Sequence, residues 1–436
     1  MRSDDTIFAM ASGQGRAAVC LIRISGPGSR GVLERMGGDL PPPRRAVVRT
    51  LRDPATGEPL DQALVLWMPG PRSFTGEDQA ELHIHGGLAT RAAVLRALGH
   101  LDGCRPAEAG EFTRRAFLNG RMDLTQVEGL ADIIDAETEA QRRQAMLQLG
   151  GRLGHAAEEW RESILQVLAL LEASLDFSDE GDVPEDLEAD ILRMIGAVQD
   201  RIGHALASRS GERLREGLTV VLAGPPNAGK STLLNALAQR DVAIVSPIAG
   251  TTRDVIEVHC DLGGLPVIIV DTAGLRESAD LIEQEGVSRA RARAQDADLV
   301  LWLVPPEGGD GPPPPARRLL KVGTKADLNR IRHDCDLTIA AATGQGLPEL
   351  IRLLEAEAVG AMGQGDAVIT RERHRKALSR AHESLDRARA ILAGPGPLEL
   401  AAEEVRLASR AIGEITGRVD VEDVLDRLFS SFCIGK

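Results

Sequence analysis

Tyrosine is absent from this chain of 436 residues, and the other aromatics are few: seven phenylalanines and three tryptophans. That scarcity argues against stacking of bases on an aromatic platform as a mode of RNA binding. Cysteine is scarce and scattered (Cys20, Cys104, Cys260, Cys335, Cys433), with no C-x-x-C pair. That spacing argues against a structural zinc site and for a reducing compartment. No apolar run approaches the ~20 residues needed to span a bilayer, and no charged-then-apolar leader opens the sequence. A soluble, cytoplasmic protein without membrane contact is expected. Positive charge is not in excess either. The formal net charge is -14, which argues against a nucleic-acid binder held by bulk charge but leaves room for a local basic patch. Length suggests roughly three domains, and a hydrophobic content of 43% gives each a core to bury.

Against these absences one motif stands out. Gly224-Pro225-Pro226-Asn227-Ala228-Gly229-Lys230-Ser231 fits G-x-x-x-x-G-K-[ST]. Leu218 to Ala223 before it reads as a buried strand, and Thr232 to Leu237 after it reads as the start of a helix. That setting argues against a chance glycine-rich turn. Glycines let the backbone approach phosphates, and successive N–H groups at a helix N-terminus point at the anion. Lys230 supplies charge to the outer phosphates, and the Ser231 hydroxyl can ligate magnesium. The chemistry implied is phosphoryl transfer from a nucleoside triphosphate.

The neighbouring motifs sharpen the nucleotide. Asp271-Thr272-Ala273-Gly274 follows a strand ending at Val270, so Asp271 can hold magnesium through water and the Gly274 N–H can sense the γ-phosphate. Thr324-Lys325-Ala326-Asp327 follows another apolar strand. The Asp327 carboxylate can accept both hydrogen bonds of the guanine edge, whereas adenine would leave it unpaired. The Lys325 stem can pack along the base. Thr324 stands where asparagine is usual. Ala340-Ala341-Ala342 occupies the place of S-A-[KLR], without the serine. All these elements occur in order, which favours GTP over ATP. Between them, a threonine of Gly250-Thr251-Thr252-Arg253-Asp254 can complete the magnesium shell. Leu275 stands where small Ras-like GTPases place a water-orienting glutamine, and Glu283 is the nearest replacement.

Patterning organises the rest. Residues 1 to about 120 mix strands (Ala18–Ile24, Ala63–Met68, Glu81–His85) with a helix over Gly87–Leu98. From Leu124 to Arg215 the pattern is helical, with Ile164, Leu165, Leu168, Leu171 and Leu175 on one face. A loop is expected over Asp179–Pro184, then a second helical run over Leu187–Leu214. Residues 217 to about 360 alternate strands and helices, which implies a mostly parallel sheet. Its hairpin turns at Gly263-Gly264, and the proline-rich stretch after Val304 predicts a loop-like crossover. From about 366 the chain is helical again, with Ile369, Ala377, Leu378, Leu385 and Ile391 on one amphipathic run. The economical arrangement is one helical domain split by an inserted nucleotide-binding domain.

The chain resembles the tRNA modification GTPase family MnmE, also called TrmE, over its whole length. The resemblance rests on Ile22-Arg23-Ile24-Ser25-Gly26, on Ser73 to Asp78, on Glu81 to Gly87, on Gly110 to Asn119, on Asp123 to Glu128 and on the final Cys433-Ile434-Gly435-Lys436. Two stretches depart from the family pattern: Ser12 to Arg16 near the N-terminus, and Pro225 in the phosphate loop.

The resemblance implies an α/β, Ras-like P-loop G domain inserted in an all-α helical domain, preceded by an α+β folate-binding N-terminal domain. The division implied is 1–120 for tetrahydrofolate binding and dimerisation, 121–215 and 363–436 for the helical domain, and 216–362 for the G domain. It further implies a homodimer and a heterocomplex with the FAD-dependent partner MnmG. Together they place an aminomethyl-type group on carbon five of the tRNA wobble uridine. A 5-formyltetrahydrofolate or a related tetrahydrofolate maps to Arg23, Glu81, Arg121 and Lys436. Potassium, which activates the family's GTPase, maps to Asn227, Ser246, Ile248 and Thr251, and magnesium to Ser231 and Thr252. Glu283 corresponds to the water-positioning glutamate and joins Lys230 as catalytic. The GTP contacts would come from Asn227, Ala228, Gly229, Lys230, Ser231, Thr232, Ser246, Thr251, Thr252, Asp271, Thr272, Ala273, Gly274, Thr324, Lys325, Asp327 and Ala340 to Ala342. The competing function is a regulatory GTP switch in ribosome assembly or signalling, with no modification chemistry. The G domain alone does not separate the two, but the N-terminal motifs and the Cys433–Lys436 tail favour modification.

Overall fold

Alternation of apolar and polar residues sets the first sheet. In Gln79–Gly86, Ala80, Leu82 and Ile84 are buried on one face, while Glu81, His83 and His85 lie on the other. The structure is a computed structural model. It describes all residues except 1–4, 14, 177–186, 241, 245–255, 272–296, 308–312, 329–333, 364–366, 420, 421, 433 and 436. Contacts divide the chain into two compact units. The first takes Met1–Ala131, Gly154–Glu158 and Ile412–Lys436, the second Asp132–Leu153 and Glu159–Ala411.

In the first unit, β1 (Thr6–Met10), β2 (Ala17–Ser25), β3 (Val47–Arg52), β4 (Pro59–Met68), β5 (Gln79–Gly86) and β6 (Cys104–Pro106) form one sheet in the order β3-β4-β5-β2-β1-β6. The helices Ser29–Gly37 and Leu88–Gly99 bring Val32, Leu33, Met36, Val94 and Leu98 into a core with Ile22, Ile24, Trp67, Leu82 and Ile84. A separate apolar cluster joins Leu124 and Val127 to Leu425, Phe429 and Phe432, which seats the helix Glu422–Ser431.

In the second unit, β7 (Leu218–Ala223), β8 (Ile256–Leu262), β9 (Leu265–Asp271), β10 (Leu299–Val304), β11 (Leu319–Gly323) and β12 (Leu337–Thr338) are ordered β12-β11-β10-β7-β9-β8. Among the described strands of this sheet only β8 is antiparallel to its neighbour. Leu218, Val220 and Leu222 pack with Leu233, Leu237, Leu350 and Leu354 of the helices Lys230–Ala238 and Leu347–Met362. Val221, Ala223, Val270 and Val300 make a second cluster on the opposite face. Burial on both faces accounts for the unbroken apolar runs of β7 and β10, which showed no alternation in the sequence.

The helices on either side of this sheet in sequence are tied together. Arg375 of the helix Glu372–Leu392 donates to the Glu212 carboxylate at 2.8 Å and to the Leu206 carbonyl at 2.7 Å. Gln199 donates to Asp386 at 2.6 Å, and Arg371 to Asp132 at 2.6 Å. The segment that carries this sheet is therefore inserted between helices that pack together.

Two expectations on the helices need correction. Ile369 lies before the helix that starts at Glu372, 1% exposed, with its carbonyl against Gly211. It is apolar for packing, not for helical period. The run expected over Leu187–Leu214 breaks between the helices Leu187–Leu206 and Ser210–Glu216. There Arg375 takes the carbonyls of Leu206 and Ser208 as acceptors. The hairpin β8–β9 turns at Gly263-Gly264 as expected. The described residues between β10 and β11, 305–307 and 313–318, hold no helix. The expected loop over 179–184 lies outside the described residues.

Candidate functional site

Strand β7 sits between β10 and β9, so the chain leaves it in one direction and returns on the other side. Such a switch point opens a crevice at the carboxyl ends of the strands. Strands β7, β9, β11 and β12 all end at that edge, because they are parallel.

The phosphate loop begins with Gly224 at φ 152°, where a Cβ would stand 2.6 Å from the Leu303 carbonyl oxygen. No side chain fits there. The loop closes with the Ala228 N–H on the Pro225 carbonyl at 3.2 Å. Asn227 holds φ 57° and Lys325 φ 56°. Backbone in this sparsely populated region collects at ligand sites. Gly229 then caps the helix Lys230–Ala238, whose first N–H groups face the loop. The Lys230 ammonium donates to the carbonyls of Gly224 at 2.8 Å and Pro225 at 3.0 Å, which fixes its charge inside the turn. Ser231 Oγ donates to Asp271 Oδ2 at 2.8 Å. Asp271 is the last residue of β9 and is 2% exposed. The fold thus brings together a hydroxyl and a carboxylate forty residues apart. Ala228 is fully buried, whereas Asn227 and Thr232 are exposed.

A second group stands after β11 and β12. The Thr324 N–H donates to Val304 at 2.9 Å and the Ala326 N–H to Ile339 at 3.1 Å, so the segment is laced to both neighbouring strands. Asp327 is exposed, and Lys325 lies 3.7 Å from Glu307. Thr324 Oγ1 is buried and has no hydrogen-bond partner among the described residues. A buried orphan hydroxyl costs about 1–3 kcal/mol, and a polar ligand edge at this position would relieve it. The Ala340-Ala341-Ala342 loop is closed without a serine: Ala340 donates to Gln345 at 2.9 Å, and Gly344 donates back to Ala340 at 2.9 Å. Ser246, Ile248, Thr251, Thr252, Thr272, Ala273, Gly274 and Glu283 lie outside the described residues.

In the first unit, Arg23 on β2 stands opposite Glu81 on β5, Nε to Oε1 at 3.2 Å. The guanidinium lies 5.3 Å from the Phe74 ring centre and 5.9 Å from that of Phe112, within cation–π range. The Arg121 stem runs past Gly76, where a Cβ would be 3.3 Å from its Cγ. Lys436 and Cys433 lie outside the described residues.

The sequence reading missed the groups that support this region. Arg115 donates to Glu77 at 3.1 Å and to Glu111 at 3.1 Å, and Glu111 also takes Arg105 at 2.6 Å. Glu77 in turn accepts from Ser25 at 2.8 Å. Burial pushes the Glu111 carboxyl up, but Arg105, the Glu108 N–H and Arg115 outweigh it and hold it below the usual range. Their signals in the sequence were the i,i+4 spacing of Glu111 and Arg115 and their place within Ser73 to Asp78 and Gly110 to Asn119.

Known proteins bear on the whole chain. The family described as GTP-binding protein TrmE N-terminus matches residues 6–121, and the MnmE helical domain matches 124–433. The tRNA modification GTPase MnmE of Methylobacterium sp. (strain 4-46) is 64% identical, over 99% of this chain and 100% of its own. That of Methylorubrum populi is 60% identical, over 99% and 98%. That of Methylobacterium radiotolerans is 56% identical, over 100% of both. Among the described residues no helix is long and apolar enough to cross a membrane. With its nucleotide loops gathered at one sheet edge and its full length shared with these relatives, the chain belongs to the MnmE family of tRNA modification GTPases.

Proposed function

We propose that this GTPase is activated by potassium and spends its GTP cycle on aminomethyl-type modification at carbon five of the tRNA wobble uridine. It acts as a cytoplasmic homodimer with an FAD-dependent partner of the MnmG type. The observation that carries the nucleotide part is the Ser231–Asp271 hydrogen bond beside the Lys230-filled loop. It supports magnesium held by Ser231, with Thr252 as the second ligand. The ion would neutralise charge on the outer phosphates. Lys230, already aimed into the loop, binds and orients those phosphates. Asp327 selects guanine, and the Thr324 hydroxyl gains a partner when the base is present.

Asn227, with Ser246, Ile248 and Thr251, would hold potassium, whose charge substitutes for an arginine finger. The exposure and left-handed backbone of Asn227 favour that reading. Glu283 orients the attacking water. Arg23, Glu81, Arg121 and Lys436 bind a 5-formyltetrahydrofolate or a related tetrahydrofolate. The Arg23–Glu81 pair suits it as a matched donor and acceptor on adjacent strands. The division into 1–120, 121–215, 216–362 and 363–436 assigns these tasks to separate domains.

The test is co-purification with an FAD-binding partner, then reconstitution on unmodified tRNA. New wobble-uridine nucleosides that appear only with GTP are expected, and unchanged uridine would overturn the modification reading. GTP turnover should be on the order of tenfold or more faster in potassium than in sodium. Equal rates would remove the cation from Asn227.

A further inference from the structure

Several exposed arginines of this chain pair with a carboxylate close by. Arg30 meets Glu34 at 2.9 Å, Arg193 meets Asp190 at 2.8 Å, and Arg142 and Arg143 share Glu139 at 2.7 and 2.8 Å. Arg44, Arg45 and Arg72 are exposed as well, yet none of them is ion-paired among the described residues. One turn and one loop bring them together. The Arg45 N–H donates to the Pro42 carbonyl at 3.2 Å, which closes a turn with Pro43 and Arg44 at its centre. Arg44 holds φ 59° there, a left-handed position that such turns usually give to glycine or asparagine. Its own N–H is fixed by the Trp67 carbonyl at 2.7 Å. Arg44 Nη2 donates to the carbonyls of Pro69 at 3.2 Å and Arg72 at 2.7 Å, so the guanidinium lies against the loop that joins β4 to β5. Those acceptors are neutral and leave the positive charge uncancelled. Asp78, at the far end of the loop, gives Oδ1 to the Gly70 N–H at 2.9 Å.

We infer that Arg44, Arg45 and Arg72 form a surface that holds the phosphate backbone of tRNA. Uncancelled charge at one place attracts a polyanion, and a guanidinium presents paired donors that fit a phosphate. The turn alone would be better served by glycine. Arginine there accepts backbone strain and supplies a charge fixed in place. Residues 41–46 and 69–72 are proline, glycine, alanine and arginine throughout. A protein partner would call for an apolar centre at its interface, which these segments do not offer, whereas phosphate contacts need only donors and charge. A chain of net charge -14 thereby gains a local hold on RNA that needs no aromatic platform. The inference rests on the proposed role in tRNA modification.

The test titrates the full-length chain with an unmodified tRNA transcript over a range of salt, with and without the FAD-dependent partner. The variants are Arg45→Gln, Arg72→Gln, and a triple variant that adds Arg44→Gly, where glycine keeps the turn. The side chains of Arg45 and Arg72 make none of the bonds that close the turn or the loop, so the single variants should fold as the parent does. Each single variant should lower the slope of log affinity against log salt by about 1. The triple variant should lower it by about 2–3 and weaken binding on the order of tenfold or more near 0.1 M salt. GTP turnover without tRNA should stay within about twofold, because its residues belong to the other unit. Arg142→Gln with Arg143→Gln, which removes two paired arginines, should leave the slope in place. An equal fall in that control overturns the inference, since bulk charge would then explain it. Unchanged tRNA affinity and slope in the triple variant overturn it too, also where the variant loses the protein partner or 5-formyltetrahydrofolate instead. If the parent chain binds no tRNA, alone or with its partner, the tRNA reading fails and the inference falls with it.

Discussion

Glu111 carries more structure than its place in the sequence suggests. It is 2% exposed and bonded to Arg105, Arg115 and the Glu108 N–H. Because its carboxyl is held below the ordinary value of 4.5, its contribution is fully present above that pH. It is lost as pH falls through the lower, folded value. Glu111→Gln should cost about 3 kcal/mol at neutral pH, since two guanidinium groups lose the buried negative charge they share. Urea unfolding from pH 7 down to pH 3 would check this, and the gap between variant and parent should narrow in acid.

Cys260 behaves in the opposite way. It is 1% exposed, and burial pushes its thiol up to about 11. At pH 8 it stays protonated, and iodoacetamide should label it only after denaturation. At the base site, Asp327→Asn trades an acceptor for a donor. It should shift preference from GTP toward xanthosine triphosphate on the order of a hundredfold, as measured by competition binding. A variant that still prefers GTP would remove Asp327 from guanine recognition.

At the scale of elements, the β8–β9 hairpin is fastened to the helix Glu139–Leu149. The Ala140 N–H donates to the Gly264 carbonyl at 3.1 Å, and His259 meets Glu137 at 2.6 Å. The helix start is a capping box of Thr138 and Gln141, and Gln141 also donates to the Arg215 carbonyl at 3.2 Å. His259 and Glu137 are about one-third exposed (37% and 28%). A Glu137→Ala and His259→Ala cycle should therefore return a coupling of only about 1 kcal/mol. Arg375→Met removes a buried guanidinium from Glu212 and from the end of the helix Leu187–Leu206. It should cost about 3–5 kcal/mol in urea unfolding.

These fastenings were not legible beforehand. Strand alternation, the phosphate loop and the 3.6-residue period are local, so β5, β7, β9 and the long helices could be read directly. Arg375 and Glu212 lie 163 residues apart, and no local pattern links them. Ile369 looked periodic only because a residue 1% exposed outside the helix also has to be apolar. The serine missing from Ala340–Ala342 left that loop unexplained until its backbone bonds to Gln345 and Gly344 were seen.

For the whole molecule, two compact units imply two responses to ligand. A GTP analogue at about 100 times its dissociation constant adds about 2.7 kcal/mol to whatever unfolds with its site. Calorimetry should show one transition, that of the unit holding β7 to β12, moving upward with nucleotide. The transition of the unit holding β1 to β6 should stay in place and move with folate instead. A single transition that shifts with either ligand would mean that the two cores unfold together.

The lack of tyrosine has an optical consequence. Indole emission can come only from Trp67 in β4, Trp160 in the helix Arg152–Asp176 and Trp302 in β10, with no phenol donors feeding them. Trp302 stands in register with Ala223, the last residue before the phosphate loop. Phenylalanine at 67 and 160 would leave one indole, in register with the residue that precedes the phosphate loop, so nucleotide binding and release could be followed in real time on an unlabelled chain.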